Sequence, residues 1–150
     1  MKQDCTTTLC QLHTYIIALG SNTCAQKNLE KACNALNNFF PNIYYTPEEI
    51  TEAIGCKINQ SCFINQMAQF TSTKSLEDIR KFFKYLEAQA GRTEEDKMQE
   101  IIKLDIDILM VDTTVLKPLD LERPYIKRGL KYLLEKQKIN QIEKSFQTSC

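Results

Sequence analysis

The sequence predicts an α+β protein, with two helices laid on one face of an antiparallel sheet and a C-terminal extension. Three features carry that expectation. Four short runs are apolar or alternate apolar with polar, as strands do, and two longer segments repeat apolar residues at helical spacing. Their order is strand, helix, strand, strand, helix, strand.

Residues 1–13 are polar, contain Thr6-Thr7-Thr8 and lack periodicity, so they read as a flexible tail before a single domain over 14–150. The only histidine, His13, reads as an ordinary polar residue, because no Ser or Cys motif converges on it. Residues 14–19 form a first strand buried on both faces, stopped by Gly20-Ser21-Asn22. Leu29, Ala32, Cys33, Leu36 and Phe39 or Phe40 then mark the stripe of a helix that Pro41 ends. Ile43-Tyr44-Tyr45 is a short strand closed by Thr46-Pro47. The polar stretch 48–61 is a long loop or a loop with one helical turn. Residues 62–70 form a third strand, with Ile64, Ala68 and Phe70 on one face and Phe63, Asn65 and Met67 on the other. Ser75 caps a second helix along Leu76, Ile79, Phe82, Phe83 and Leu86, and Gly91 suits its end. The charged stretch 92–103 has no apolar face, and 104–111 is the fourth strand. Lys117-Pro118 and Arg123-Pro124 mark an irregular connection, 127–136 a further helix, and the rest a polar, frayed tail. This succession is that of a ferredoxin-like βαββαβ sandwich, an architecture that names no function by itself.

Bulk properties exclude several classes. With 19 Lys+Arg against 19 Asp+Glu, the 150 residues carry no basic excess for nucleic-acid binding. No apolar run approaches a membrane span, and the N-terminus lacks the order of a signal peptide. The seven cysteines form no CxxC pair and meet one histidine, which argues against zinc. They read as reduced thiols of a cytoplasmic protein, with Cys24 and Cys33 in or near a core.

Four signals bear on chemistry. The most informative is Leu104-Asp105-Ile106-Asp107-Ile108-Leu109, where strand alternation sends both aspartates to one face, roughly 7 Å apart along the chain. Such a pair calls for divalent cations or for an Arg or Lys partner; the plain alternative is a turn cap. Gly20 allows a sharp turn whose N–H groups can hold an anion, or merely a strand-to-helix connection. Phe63-x-Asn65 offers a ring face and an amide on one side of a strand, suited to a flat heterocycle, or a core aromatic. Arg92, in Glu87-x-x-x-Gly91-Arg92, carries the fork of donors that phosphate favours.

Taken together, Ala18-Leu19-Gly20-Ser21-Asn22, Thr46-Pro47, Phe63-Ile64-Asn65, Glu87-x-x-x-Gly91-Arg92 and Leu104-Asp105-Ile106-Asp107-Ile108 resemble the hydroxymethyl-dihydropterin pyrophosphokinases of folate biosynthesis. The resemblance runs over about 15–130. It implies the ferredoxin-like fold and the transfer of pyrophosphate from ATP to the hydroxymethyl group of a reduced pterin, releasing AMP. It implies that Asp105 and Asp107 hold two magnesium ions on the ATP phosphates and, with Arg92, form the catalytic set. Gly20, Ser21, Thr46, Pro47, Phe63, Asn65 and Leu130 then border the pterin; Arg92, Lys103, Tyr125 and Arg128 meet the nucleotide. The chain departs from the family pattern in four places. Thr93-Glu94-Glu95-Asp96 is acidic, Ile101-Ile102 stands where an arginine is expected, Pro124-Tyr125 replaces Pro-His, and Leu130 replaces a second aromatic that would sandwich the pterin. Those departures motivate two alternatives: an impaired homologue that binds pterin or nucleotide, and a ferredoxin-like interaction module.

Overall fold

The computed structural model describes residues 11–53 and 61–149. The expected tail over 1–10, Gly55 and its neighbours in 54–60, and four of the cysteines lie outside the described residues.

Strand β1 (His13–Ser21) is followed by helix α1 (Ala25–Phe39), short strands β2 (Tyr44–Tyr45) and β3 (Glu49–Thr51), then β4 (Phe63–Ser72). Helix α2 (Leu76–Gln89), a short α3 (Glu94–Met98), strands β5 (Asp105–Val111) and β6 (Thr114–Val115), and helix α4 (Pro124–Ser149) complete the chain. The antiparallel sheet runs β2-β4-β1-β5-β6, with β3 also along β4, which is the expected ferredoxin-like α+β order. His13 opens β1 rather than closing a tail: its Nδ1 lies 2.7 Å from Asp112 Oδ2 across the β5–β6 turn.

The main core follows the predicted stripes. Leu29, Ala32 and Leu36 of α1 and Ile79, Phe83 and Leu86 of α2 pack on Tyr15, Ile17, Leu19, Ala68, Phe70, Ile106 and Ile108 of the sheet. Of the two candidates at the end of α1, Phe40 is the buried one, stacked 3.9 Å from the Phe70 ring, while Phe39 lies on Phe82 nearer the surface. This aromatic group gathers at the start of β1 and the end of β4, leaving the other end of those strands for polar residues. Cys24 differs from expectation: it is exposed and ends the turn into α1 at φ 43°, whereas Cys33 is half-buried.

The second face is not left open. Ile126 and Leu133 of α4 cover Ala18, Met67 and Leu109, with Leu130 packed against the same group. A bulge makes this possible, because Ile16 pairs with Met110 and Ile17 with Ile108. The extra residue lets two consecutive side chains, Leu109 and Met110, turn toward α4. The helix starts at Pro124, where a proline in the first turn loses no hydrogen bond, and it runs through the region expected to fray. Among the described residues no helix is long and apolar enough to cross a membrane.

Helix α4 approaches the sheet closely at Gly129, where an added Cβ would sit 2.2 Å from Met67 Sδ. Met67 is itself buried, so its side chain must repack to admit the methyl. Gly129→Ala is therefore expected to cost about 2 kcal/mol through overpacking, read as a lower urea midpoint with unchanged slope.

Candidate functional site

The site occupies the end of the sheet where β1 runs out at Ser21 and β5 begins at Asp105. Gly20 pairs with Asn65 on one side and with Asp105 on the other, so three of the predicted residues stand side by side on adjacent strands. A pocket of about 500 Å³ opens there, and Gly20, Phe63, Asn65, Asp105, Asp107, Tyr125 and Arg128 all line it. Thr46 and Pro47 border an adjoining pocket of about 340 Å³, which shares Asn65, Tyr125 and Arg128.

Each side chain has a physical reason for its position. A Cβ on Gly20 would come within 3.0 Å of Asn65 Oδ1, so the absent side chain leaves room for the amide. Asn65 Nδ2 donates to Thr51 Oγ1 of β3, a strand that the sequence reading left inside a loop. Thr46 is buried: its Oγ1 accepts from the Met67 N–H, and its own N–H donates to the Met67 carbonyl. Ser21 and Asn22 secure the segment leading into β5. The Ser21 hydroxyl is 3.2 Å from the Ile102 carbonyl, while Asn22 accepts from the Ile102 N–H and donates to the Glu100 carbonyl. The Asn22 N–H is likewise spent on the Ile102 carbonyl.

Asp105 is pushed up to about 6, first by burial, then by the charges of Asp107 and Glu87, with Arg92 opposing. Glu87 is buried on α2. One of its oxygens accepts from the Ile106 N–H at 2.9 Å, and the other lies 3.3 Å from Arg92 Nη1 and 3.2 Å from Lys84 Nζ. Since Ile106 lies between the two aspartates, this carboxylate fixes the backbone that aims them. Among the described residues Asp107 meets only a distant cation, Lys117 at 4.0 Å.

The remaining predicted residues sit elsewhere or are already engaged with other side chains. Arg92 faces Glu87 and does not line the pocket. Lys103 bonds the Gly91 carbonyl and lies 3.1 Å from Asp96 Oδ2. Ser21 lies beneath the site, and Leu130 packs from α4 against the cluster of Ala18, Met67 and Leu109. Arg128 lines the pocket but is ion-paired with Glu49 of β3. Tyr125, whose hydroxyl burial pushes above its ordinary value, stands beside Arg123.

Arg123 lines the same pocket, 3.7 Å from Asp120, and the sequence reading passed over it as part of a connection. Its position beside the first helical proline, one turn before Arg128, was the available signal. In total the pocket lining holds Glu52, Asp105, Asp107 and Asp120 against Arg123 and Arg128. Among the described residues no group of three or more His, Cys, Asp or Glu side chains could hold a metal. Two carboxylates nonetheless suit Mg²⁺, which typically takes one or two from the protein and the rest of its shell from water and phosphate. The crowding of negative charge that lifts Asp105 is what a divalent cation would relieve.

Comparison with curated proteins finds no match. A family model described as 7,8-dihydro-6-hydroxymethylpterin-pyrophosphokinase matches residues 16–135, which span both sheet faces and the whole pocket. The chain belongs to that family, whose activity is pyrophosphate transfer in folate biosynthesis.

Proposed function

We propose that the chain is a cytoplasmic enzyme that moves pyrophosphate from ATP to 6-hydroxymethyl-7,8-dihydropterin and releases AMP. The observation that carries this is the sharing of one pocket by Asp105, Asp107, Phe63 and Asn65. The Asn65 amide reads the heteroatom edge of the pterin while Phe63 lies on its face. Thr46 and Pro47 border the ring from the adjoining pocket, Ser21 supports the floor through Ile102, and Leu130 backs the α4 wall. Asp105 and Asp107 would hold magnesium on the ATP phosphates. Bound between these carboxylates and the phosphates, magnesium would neutralise phosphoryl oxygens and so favour in-line displacement. The pterin hydroxymethyl oxygen bonds to the β-phosphorus as its bridge to the α-phosphate breaks. Arg123, Arg128 and Tyr125 then orient the nucleotide, and Arg92 and Lys103 join by exchanging their carboxylate partners for phosphate.

A second reading has a specific observation in its favour. Arg92, Lys103 and Arg128 are all engaged with carboxylates, as a protein that binds pterin without turnover would allow. Single-turnover assays with enzyme in excess over ATP, with Mg²⁺ and the dihydropterin alcohol, separate the two. AMP formed in step with ATP consumed supports the transferase. No AMP, alongside calorimetric pterin binding, establishes the second reading.

The Gly20–Asn65 contact makes a further test. Gly20→Ala displaces the amide, so the KM for the pterin is expected to rise about tenfold, with the KM for ATP changing little.

A further inference from the structure

The second half of α4 is oriented backwards for a helix whose task is only to cover its own sheet. Gln137, Asn140, Gln141, Glu143 and Lys144 line a gap over Thr14, Asn42, Tyr44 and Gln69, while Ile139, Ile142 and Phe146 point to solvent, 51%, 56% and 69% exposed. Those three, with Glu135 and the half-exposed Tyr132, recur at alternating spacings of three and four. That is the seam of a two-stranded coiled coil, and it lies diametrically opposite the buried stripe of Ile126 and Leu133.

The flanks select the occupant. With Ile139 and Phe146 at one seam position and Ile142 at the other, Lys138 and Glu143 fall on opposite shoulders, five residues apart. In a parallel pair of identical helices that offset brings Lys138 of each chain to Glu143 of the other, giving two symmetric ion pairs around the apolar contact. Neither residue has an ion-pair partner among the described residues. One heptad earlier both shoulders are lysines, Lys131 and Lys136, with Glu135 in the seam; across a parallel pair these meet like charges, which confines the contact to the stretch from Ile139 to Phe146. We infer that α4 pairs with α4 of a second copy of this chain, in parallel, through Ile139, Ile142 and Phe146. The contact covers little more than one heptad, so the dimer is weak and concentration-dependent. It also leaves the pocket, on the first turns of α4, accessible in both copies.

Sedimentation of the full chain across micromolar to submillimolar concentrations tests this at low salt. The weight-average mass is expected to climb from the monomer toward twice that value. Ile142→Glu, and independently Ile139→Glu, should stay monomeric with unchanged helicity by circular dichroism. Lys138→Glu and Glu143→Lys should each weaken association about tenfold, and the double exchange should restore it. A chain that remains monomeric throughout overturns the proposal. So does a double exchange no better than the single ones, or an Ile142→Glu variant that loses helicity without any change in association.

Discussion

Asp107→Ala is expected to lower the rate of AMP formation by about a thousandfold, corresponding to about 4 kcal/mol of lost transition-state stabilisation. The expectation follows from the pocket itself. Its lining carries more carboxylates than guanidinium groups, so triphosphate enters only with cations that neutralise both partners. Removing Asp107 takes away half of the strand-borne ligand pair. It does not disturb folding, since the side chain is partly exposed and its nearest cation is 4.0 Å away. Indeed the metal-free variant relieves like-charge repulsion, and Asp105 should titrate at lower pH by carboxyl NMR. A rate near wild type would remove the metal-binding role from this residue. A low rate combined with unchanged Asp105 titration would place the two aspartates too far apart to act together.

Glu87→Ala carries the largest expected effect on stability, about 3 kcal/mol in a urea melt. It leaves the Ile106 N–H without its acceptor inside the protein and empties a buried site. Glu87→Gln keeps an acceptor for that N–H while removing a charge beside Asp105, so its cost should be smaller and Asp105 should titrate closer to an ordinary carboxyl. The pH dependence follows from the direction of the Asp105 shift. Its folded value, about 6, lies above the unfolded one, so the folded state holds more protons between them. This group's contribution therefore falls as pH rises from about 4 to about 6, and stability in the absence of metal declines over that interval. Glu87→Gln should flatten the decline. An unaltered slope would mean that Glu87 does not act on Asp105.

The long elements were legible because each buries one face. The stripe Leu29, Ala32 and Leu36, the alternation Ile64, Ala68 and Phe70, and the Ser75 cap, whose hydroxyl accepts from the Asp78 N–H, all act locally. Strand β3 was not legible. Its central residue, Ile50, is 73% exposed, and the strand exists only because β4 supplies partners for Glu49 and Thr51. Helix α4 was legible only over 127–136, and its continuation read as a frayed tail because, with apolar residues on two opposite faces, it presents no single stripe. The short α3 did announce itself, through Thr93 accepting from the Asp96 N–H and three acids in the first turn, yet charge without an apolar face read as a loop. At the site, strand alternation and motif spacing pointed to Gly20, Phe63, Asn65, Asp105 and Asp107, which the fold gathers in one pocket. The pairing of Arg128 with Glu49 depends on a tertiary neighbour that no local pattern encodes, whereas those of Arg92 with Glu87 and of Lys103 with Asp96 depend on how the chain turns after α2.

The hydrogen bond from Ile106 to Glu87 has one more consequence. That N–H turns away from β1, along the outer rim of the sheet, where β6 pairs only as far as Met110 and Val111. A bare rim beside Ile106 and Ile108 would recruit extended segments from other molecules, the first step of aggregation. The carboxylate occupies the place where an intruding carbonyl would dock, and so closes the edge of the folded sheet at this position.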